Sequence, residues 1–243
     1  MWPAAWSLRS LRIDDHGIKD LNLIELNANN NPKITNVNHM TNLQILDAYW
    51  NCGIDDNGIK DLNLIQLNAS FNPKITNINH MTNLQILNAS NKCGIGDNSI
   101  KNLNLVKLNA SNNHKITNVS HMTNLQILNA SGYNCGLNDN GIKNLNLIEL
   151  NASNNTKITN VNHMNNLKIL YASRNCGIDD NGIKNLNLIE LSISDNPKIT
   201  NINHMTNLQI LYASHDCGID DNGIKNLNLI KLYAKYNPKI TKK

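Results

Sequence analysis

The feature that most constrains this chain is a two-part cassette repeated along nearly its whole length. One copy, Leu84 to Leu125, reads LQILNASNKCGIGDNSIKNLNLVKLNASNNHKITNVSHMTNL. Its first half carries Leu84, Leu87, Ala89, Ile95 and Leu103, and its second half Leu105, Leu108, Ala110, Asn113, Ile116, Val119 and Met122. Repetition at such a period marks a solenoid, in which each unit buries its apolar face only by stacking on its neighbours. That outweighs the expectation of one or two globular domains set by a length of 243 residues.

Candidate strands begin at Leu23, Leu43, Leu64, Leu84, Leu105, Leu125, Leu147, Leu167, Leu188, Leu208 and Leu229. In L-x-x-L-x-A the Leu, Leu and Ala side chains point inward and those between them outward, following the two-residue period of a strand. Each strand can pair only with its neighbours along the array, which predicts one parallel sheet. The two halves differ in how they return. In NPKITNVNHMTNL the apolar residues Ile34, Val37, Met40 and Leu43 recur at every third position, which suits an extended or 3₁₀-like path. In CGIDDNGIKDLNL either Asp55 or Asp56 can cap a short helical turn that buries Ile59 and Leu62.

The spacing L-x-x-L-x-(L/A)-x-x-N-x-x-I over residues 23–243 resembles the leucine-rich repeat. The Cys-bearing halves are similar to that family's cysteine-containing subclass. The resemblance implies an α/β fold: a right-handed solenoid arc with one parallel sheet of about 11 strands on its concave face and short 3₁₀ or α turns on its convex face. It also implies that Asn31, Asn51, Asn72 and Asn113 stack inside the turns, where their amides bond adjacent coils; Lys92 and Asp216 interrupt that ladder. Residues 1–22 form a degenerate repeat. Ile13, Asp14, Asp15, Gly17, Ile18 and Leu21 match Ile54, Asp55, Asp56, Gly58, Ile59 and Leu62, while Trp2 and Trp6 suit a plug over the first coil.

The net charge of +4 demands neither a nucleic-acid nor a membrane partner. The chain has no run of about 18 apolar residues, and its first residues make a poor secretory signal, so the expectation is a soluble cytoplasmic or intracellular protein. The Asn, Ile, Lys and Leu bias fits an AT-rich source, such as a protist, a bacterium or a large DNA virus. Cys52, Cys93, Cys135, Cys176 and Cys217 recur two coils apart. At about 4.8 Å per strand that is roughly 10 Å, too far for a disulfide, which needs Cα atoms within about 7 Å, or for a shared zinc ion. His39, His80, His121, His163 and His204 are spaced likewise, as are the lysines from Lys33 to Lys239. Every ladder is copied along the array and none converges, so no catalytic, metal or cofactor site is expected.

Candidate binding residues lie where the repeats differ. The position two residues after the inward Ala reads Asn30, Trp50, Phe71, Asn91, Asn112, Gly132, Asn154, Arg174, Asp195, His215 and Tyr236. The position just before the Ala changes from Asn or Asp to Tyr171, Ser192, Tyr212 and Tyr233. Together with Tyr49, the residues Trp50, Phe71, Tyr171, Arg174, Asp195, Tyr212, His215, Tyr233 and Tyr236 have the chemistry of interface hot spots. They point to a non-enzymatic module that binds a protein partner on the concave sheet, in two patches with a plain middle. Two alternatives are self-association through uncapped solenoid ends and polyanion binding through the lysine stripes.

Overall fold

The computed structural model describes residues 13–241; the candidate plug, with Trp2 and Trp6, lies outside the described residues. Eleven strands form one sheet: β1 (Glu25–Asn27), β2 (Ile45–Asp47), β3 (Gln66–Asn68), β4 (Ile86–Asn88), β5 (Lys107–Asn109), β6 (Ile127–Asn129), β7 (Glu149–Asn151), β8 (Ile169–Tyr171), β9 (Glu190–Ser192), β10 (Ile210–Tyr212) and β11 (Lys231–Tyr233). They are parallel, in sequence order and in strict repeat register, from Leu26 opposite Leu46 to Leu211 opposite Leu232. The sheet is open, with β1 and β11 as its edges.

Each coil closes around a thin apolar centre. Leu46 and Ala48 point inward from the strand, and Ile54, Ile59 and Leu62 cover them from the return path. The alternate coil repeats this with Leu67, Ala69, Ile75, Ile78 and Met81. Because every unit contributes a slice of one continuous core, stability accumulates coil by coil. Among the described residues, the partly buried apolar side chains against this core lie at its two ends: Ile13 and Leu23 at the first, and Leu227, Leu229, Leu232 and Ile240 at the last.

The return paths overturn the expected fold class. The fold is an all-parallel β-solenoid of stacked coils; the α/β leucine-rich-repeat arc, with sheet and turns as its two layers, is not what forms. Helix among the described residues is confined to single turns: α1 (Asp15–Ile18), α2 (Asp97–Ile100), α3 (Asp139–Ile142), α4 (Asp180–Ile183) and a 3₁₀ turn at Asn57–Ile59. The reason is steric economy. In the NPKIT coils the backbone makes consecutive tight turns, Met40 N to Val37 O at 3.0 Å and Leu43 N to Met40 O at 2.9 Å, which place an apolar side chain inward every third residue. In the other coils Leu62 must swing in to meet the next strand, so the helical turn ends at once. No helix among the described residues is long and apolar enough to cross a membrane.

Paired aspartates divide their work between coils. The first of each pair caps its own turn: Asp55 Oδ1 accepts from Gly58 N at 3.1 Å, and Asp179 Oδ1 from Gly182 N at 2.9 Å. The second reaches the next coil. Asp56 Oδ1 accepts from Thr76 N at 2.6 Å and Asn77 N at 3.0 Å, and Asp56 Oδ2 from Thr76 Oγ1 at 2.5 Å. Gly58 lets the coils approach this closely, since a Cβ there would meet Thr35 O at 2.1 Å.

Candidate binding surfaces

The column that varies most along the sequence has one backbone conformation throughout. Asn30, Trp50, Phe71, Asn91, Asn112, Asn154, Arg174, Asp195, His215 and Tyr236 all have φ between 53° and 63°, and Gly132 has φ 98°. Three residues beyond each strand the chain must turn sharply back, and the left-handed region supplies that turn. Asn, Asp and Gly occupy it readily, whereas a bulky side chain pays about 1–2 kcal/mol for it. Trp50, Phe71, Arg174 and Tyr236 therefore stand at the rim against local backbone preference, while His215, like Asn and Asp, is at home there. These positions lie on the exit turns beside the sheet, not on its strands.

A second cost appears in the column before the Ala. In the first seven strands its carboxamide or carboxylate oxygen accepts the N–H two residues on. Examples are Asn27 to Asn29 N at 3.0 Å, Asp47 to Tyr49 N at 3.1 Å and Asn151 to Ser153 N at 3.0 Å. Tyr171 and Tyr212 cannot do this. The preceding coil takes over, with Ser173 N donating to Ser153 Oγ at 3.3 Å and Ser214 N to Ser194 Oγ at 3.2 Å. Sequence reasoning missed this serine column, Ser70 to Ser214; the recurring Ala-Ser dipeptide was its available signal.

The ten candidate residues fall into two clusters along the rim and sheet. Near the N-terminal end Tyr49, Trp50 and Phe71 form a mutual triad. Ring centroids are 5.8 Å apart for Tyr49–Trp50 and for Tyr49–Phe71, the latter edge-on at 89°, and 5.6 Å for Trp50–Phe71. Beside them a groove of about 470 Å³ is lined by Trp50, Phe71, Pro73, Lys74 and Lys92 among others. At the C-terminal end Tyr212 stacks on Tyr233 at 4.7 Å and 6°. His215 lies 5.3 Å from Tyr236, whose ring also carries Lys235 Nζ at 4.8 Å. Tyr171 OH donates to Glu190 Oε1 at 3.2 Å. Burial, then Glu190 and Glu149, push the Tyr171 phenol up to about 12. Arg174 and Asp195 occupy the intervening exit turns. Trp50, Phe71, Arg174, His215, Tyr233 and Tyr236 are exposed, and Tyr49, Tyr171, Asp195 and Tyr212 are half-buried.

The return-side ladders are consumed by coil-to-coil bonding. Asn72 Nδ2 donates to Ala48 O and Ile54 O, both at 3.1 Å, while its Oδ1 accepts from Lys74 N at 3.0 Å. Asn113, Asn155, Asn196 and Asn237 do the same. Asn51 does not join this ladder: it is exposed, and Cys52 takes the inward place in its coil. Asn and Cys thus alternate at the turn. All five cysteines are free and buried. Burial lifts Cys52, Cys93 and Cys176 to about 11, so their thiolates are suppressed. His80 Nε2 sits 3.2 Å from Ile59 O, at the end of the preceding coil's helical turn, and His39, His121, His163 and His204 repeat the contact. Lys157, Lys198 and Lys239 place Nζ 3.0–3.2 Å from the carbonyls of Cys135, Cys176 and Cys217. Among the described residues no group of three or more His, Cys, Asp or Glu side chains could hold a metal ion.

No protein-family model and no curated protein matches the chain, so the leucine-rich-repeat resemblance is not carried by any family assignment. Among solved structures, the chain is similar over 95% of its length to 81% of a chain in the yeast Rad7–Elc1 complex, at 18% identity and a TM-score of 0.42. It is similar over 95% of its length to 52% of the functional domain of InlJ from Listeria monocytogenes, which includes a cysteine ladder, at 19% identity and a TM-score of 0.48. The chain spans about half the length of that InlJ domain. Neither likeness assigns a function.

Proposed function

We propose that this chain is a non-enzymatic interaction module that binds a protein partner along the exposed sheet face and the exit-turn rim. The C-terminal tyrosines are its main anchor, and the Tyr49, Trp50 and Phe71 triad is a second contact. The observation that carries this reading is the left-handed rim. Bulky and charged side chains are kept at positions where Asn or Gly would relieve strain, and strain held in place by its surroundings marks functional surface. Tyr171 and Tyr212 add to it, because each displaces a hydrogen-bonding Asn and needs a neighbouring serine to compensate. Tyrosine and tryptophan offer large contact area with little entropy to lose, the chemistry of hot spots. The polyanion alternative is weakened by the lysine stripe itself, where Lys157, Lys198 and Lys239 already hold carbonyls of the adjacent coil.

The test is capture of a partner from the native cell by the intact chain and by Tyr212→Ala with Tyr233→Ala. A true hot spot is worth at least about 2 kcal/mol, roughly thirtyfold in affinity, so the double variant should lose capture while its urea midpoint stays close to that of the parent. Lys115→Ala with Lys143→Ala, on the return side, should change neither. Capture that survives the tyrosine changes but fails with the lysine changes would move the binding surface to the opposite face.

A further inference from the structure

The tyrosines of the C-terminal third lie in one column of the sheet, and that column has a rung without a ring. Tyr171 is in register with Ser192, Ser192 with Tyr212, and Tyr212 with Tyr233. Where rings occupy adjacent rungs they stack, Tyr212 on Tyr233, at 4.7 Å and 6°. That is the spacing of the strands themselves, about 4.8 Å. At the Ser192 rung the side chain is too short to fill the ring layer, and its hydroxyl is engaged at the sheet surface with Ser173 Oγ, 2.9 Å away. A planar group laid over Ser192 would lie one strand spacing, about 4.8 Å, from the rung of Tyr171 on one side and the rung of Tyr212 on the other.

The electrostatics of the rung select the charge of that group. Glu190 precedes Ser192 by two residues and so projects from the same face of β9. It accepts the Tyr171 hydroxyl at 3.2 Å. Its carboxylate acts on both flanking phenols, following burial as a cause of the upward shifts at Tyr171 and Tyr212, and Glu149 reinforces it at Tyr171. Lys168, Arg174 and Lys231 lie on nearby strands and turns, yet among the described residues none is ion-paired with Glu190. Two aromatic faces beside a carboxylate attract a cation. A flat slot favours guanidinium over ammonium, because only the former is planar and can stack on both faces while donating paired hydrogen bonds to a carboxylate.

We propose that the vacant rung over Ser192 receives the guanidinium of an arginine side chain presented by a protein partner, sandwiched between Tyr171 and Tyr212 and paired with Glu190. This rests on the reading of the C-terminal patch as a partner-binding surface and specifies what the partner brings.

The probe is N-acetyl-arginine amide, titrated into the full chain while tyrosine ring resonances are followed by NMR. Saturable shifts confined to Tyr171 and Tyr212, with smaller ones at Tyr233, are the expected result. N-acetyl-lysine amide should bind about tenfold more weakly or worse. Ser192→Tyr fills the rung and should abolish the response, and Glu190→Gln, which leaves the column unchanged, should weaken it about tenfold. A lysine probe as effective as the arginine probe would overturn the assignment, as would a titration unchanged by Glu190→Gln or by a folded Ser192→Tyr chain. Partner capture that still depends on Tyr212 and Tyr233 alongside such a result would sink the arginine slot alone and leave the binding surface standing.

Discussion

The return side and the exit rim of this solenoid obey opposite rules. On the return side the same residues recur coil after coil, and each is bound to the neighbouring coil: Asp56 to Thr76, Asn72 to Ala48 and Ile54, His80 to Ile59. On the rim the residues differ from coil to coil while the backbone stays at one left-handed angle. Uniform side chains there serve the stacking of every coil on the next, whereas the varied rim side chains pack on one another in patches, as Trp50 does with Phe71 and His215 with Tyr236. In this array of copies, sameness marks the contacts that every coil makes with the next, and departure from sameness on the rim comes at a backbone cost.

The largest effects are expected on the uniform side. Leu128→Ala, which empties a fully packed inward column, should cost about 2–5 kcal/mol, measured as a fall in the urea midpoint. Because each slice of the core supports its neighbours, an unchanged midpoint would mean that the column is not continuous. Asn113→Ala comes next, at about 3 kcal/mol. It strands the carbonyls of Ala89 and Ile95 and the N–H of Lys115 in a buried turn. Equal stability of that variant would show that water replaces the amide freely, and that the ladder is decoration.

The rim should respond with the opposite sign. Arg174→Asn relieves a left-handed arginine at φ 62° and should raise stability by about 1 kcal/mol in thermal melts. A destabilised Arg174→Asn chain would mean that the arginine is held for packing, and the strain argument would lose its footing at that coil. The smallest effect concerns pH. The Tyr171 phenol is raised from 10.0 to about 12, by burial first and the Glu190 carboxylate second. The folded state therefore keeps a proton that the unfolded state has released, so this contribution is intact below pH 10 and is lost as pH rises towards 12. Tyrosinate absorbance should lose its latest-titrating phenol in Tyr171→Phe, and the alkaline fall in stability should become shallower in that variant.

Much of the coil was legible in the sequence. The two-residue alternation of Leu87 and Ala89 and the three-residue recurrence of Ile116, Val119 and Met122 placed the inward side chains, because both periods are local properties of a backbone. The ten candidate residues were chosen by comparing copies, and what the structure adds is proximity: it gathers Tyr49 with Trp50 and Phe71, and Tyr212 with Tyr233. The fold class was not legible. A capping Asp and a buried Ile59 allow a helical turn but do not say whether a helical layer forms. That was decided by the room left once Leu62 had to reach the next strand.

What the sequence determined alone is the period, the inward columns and the positions at which copies disagree. Which residues meet within and between coils was settled by the packing of the folded chain. Asp55 caps its own turn while its neighbour Asp56 serves Thr76, and Cys52 displaces Asn51 from the centre. Ser153 repairs what Tyr171 removes, and Ser192 leaves an unfilled rung between two tyrosines. The contacts between coils join residues twenty or so positions apart, as Asp56 with Thr76 and Ser153 with Ser173. Local preference cannot set them, because they depend on the register in which one coil is laid on the next, and that register is fixed only when the apolar columns of neighbouring coils are packed together.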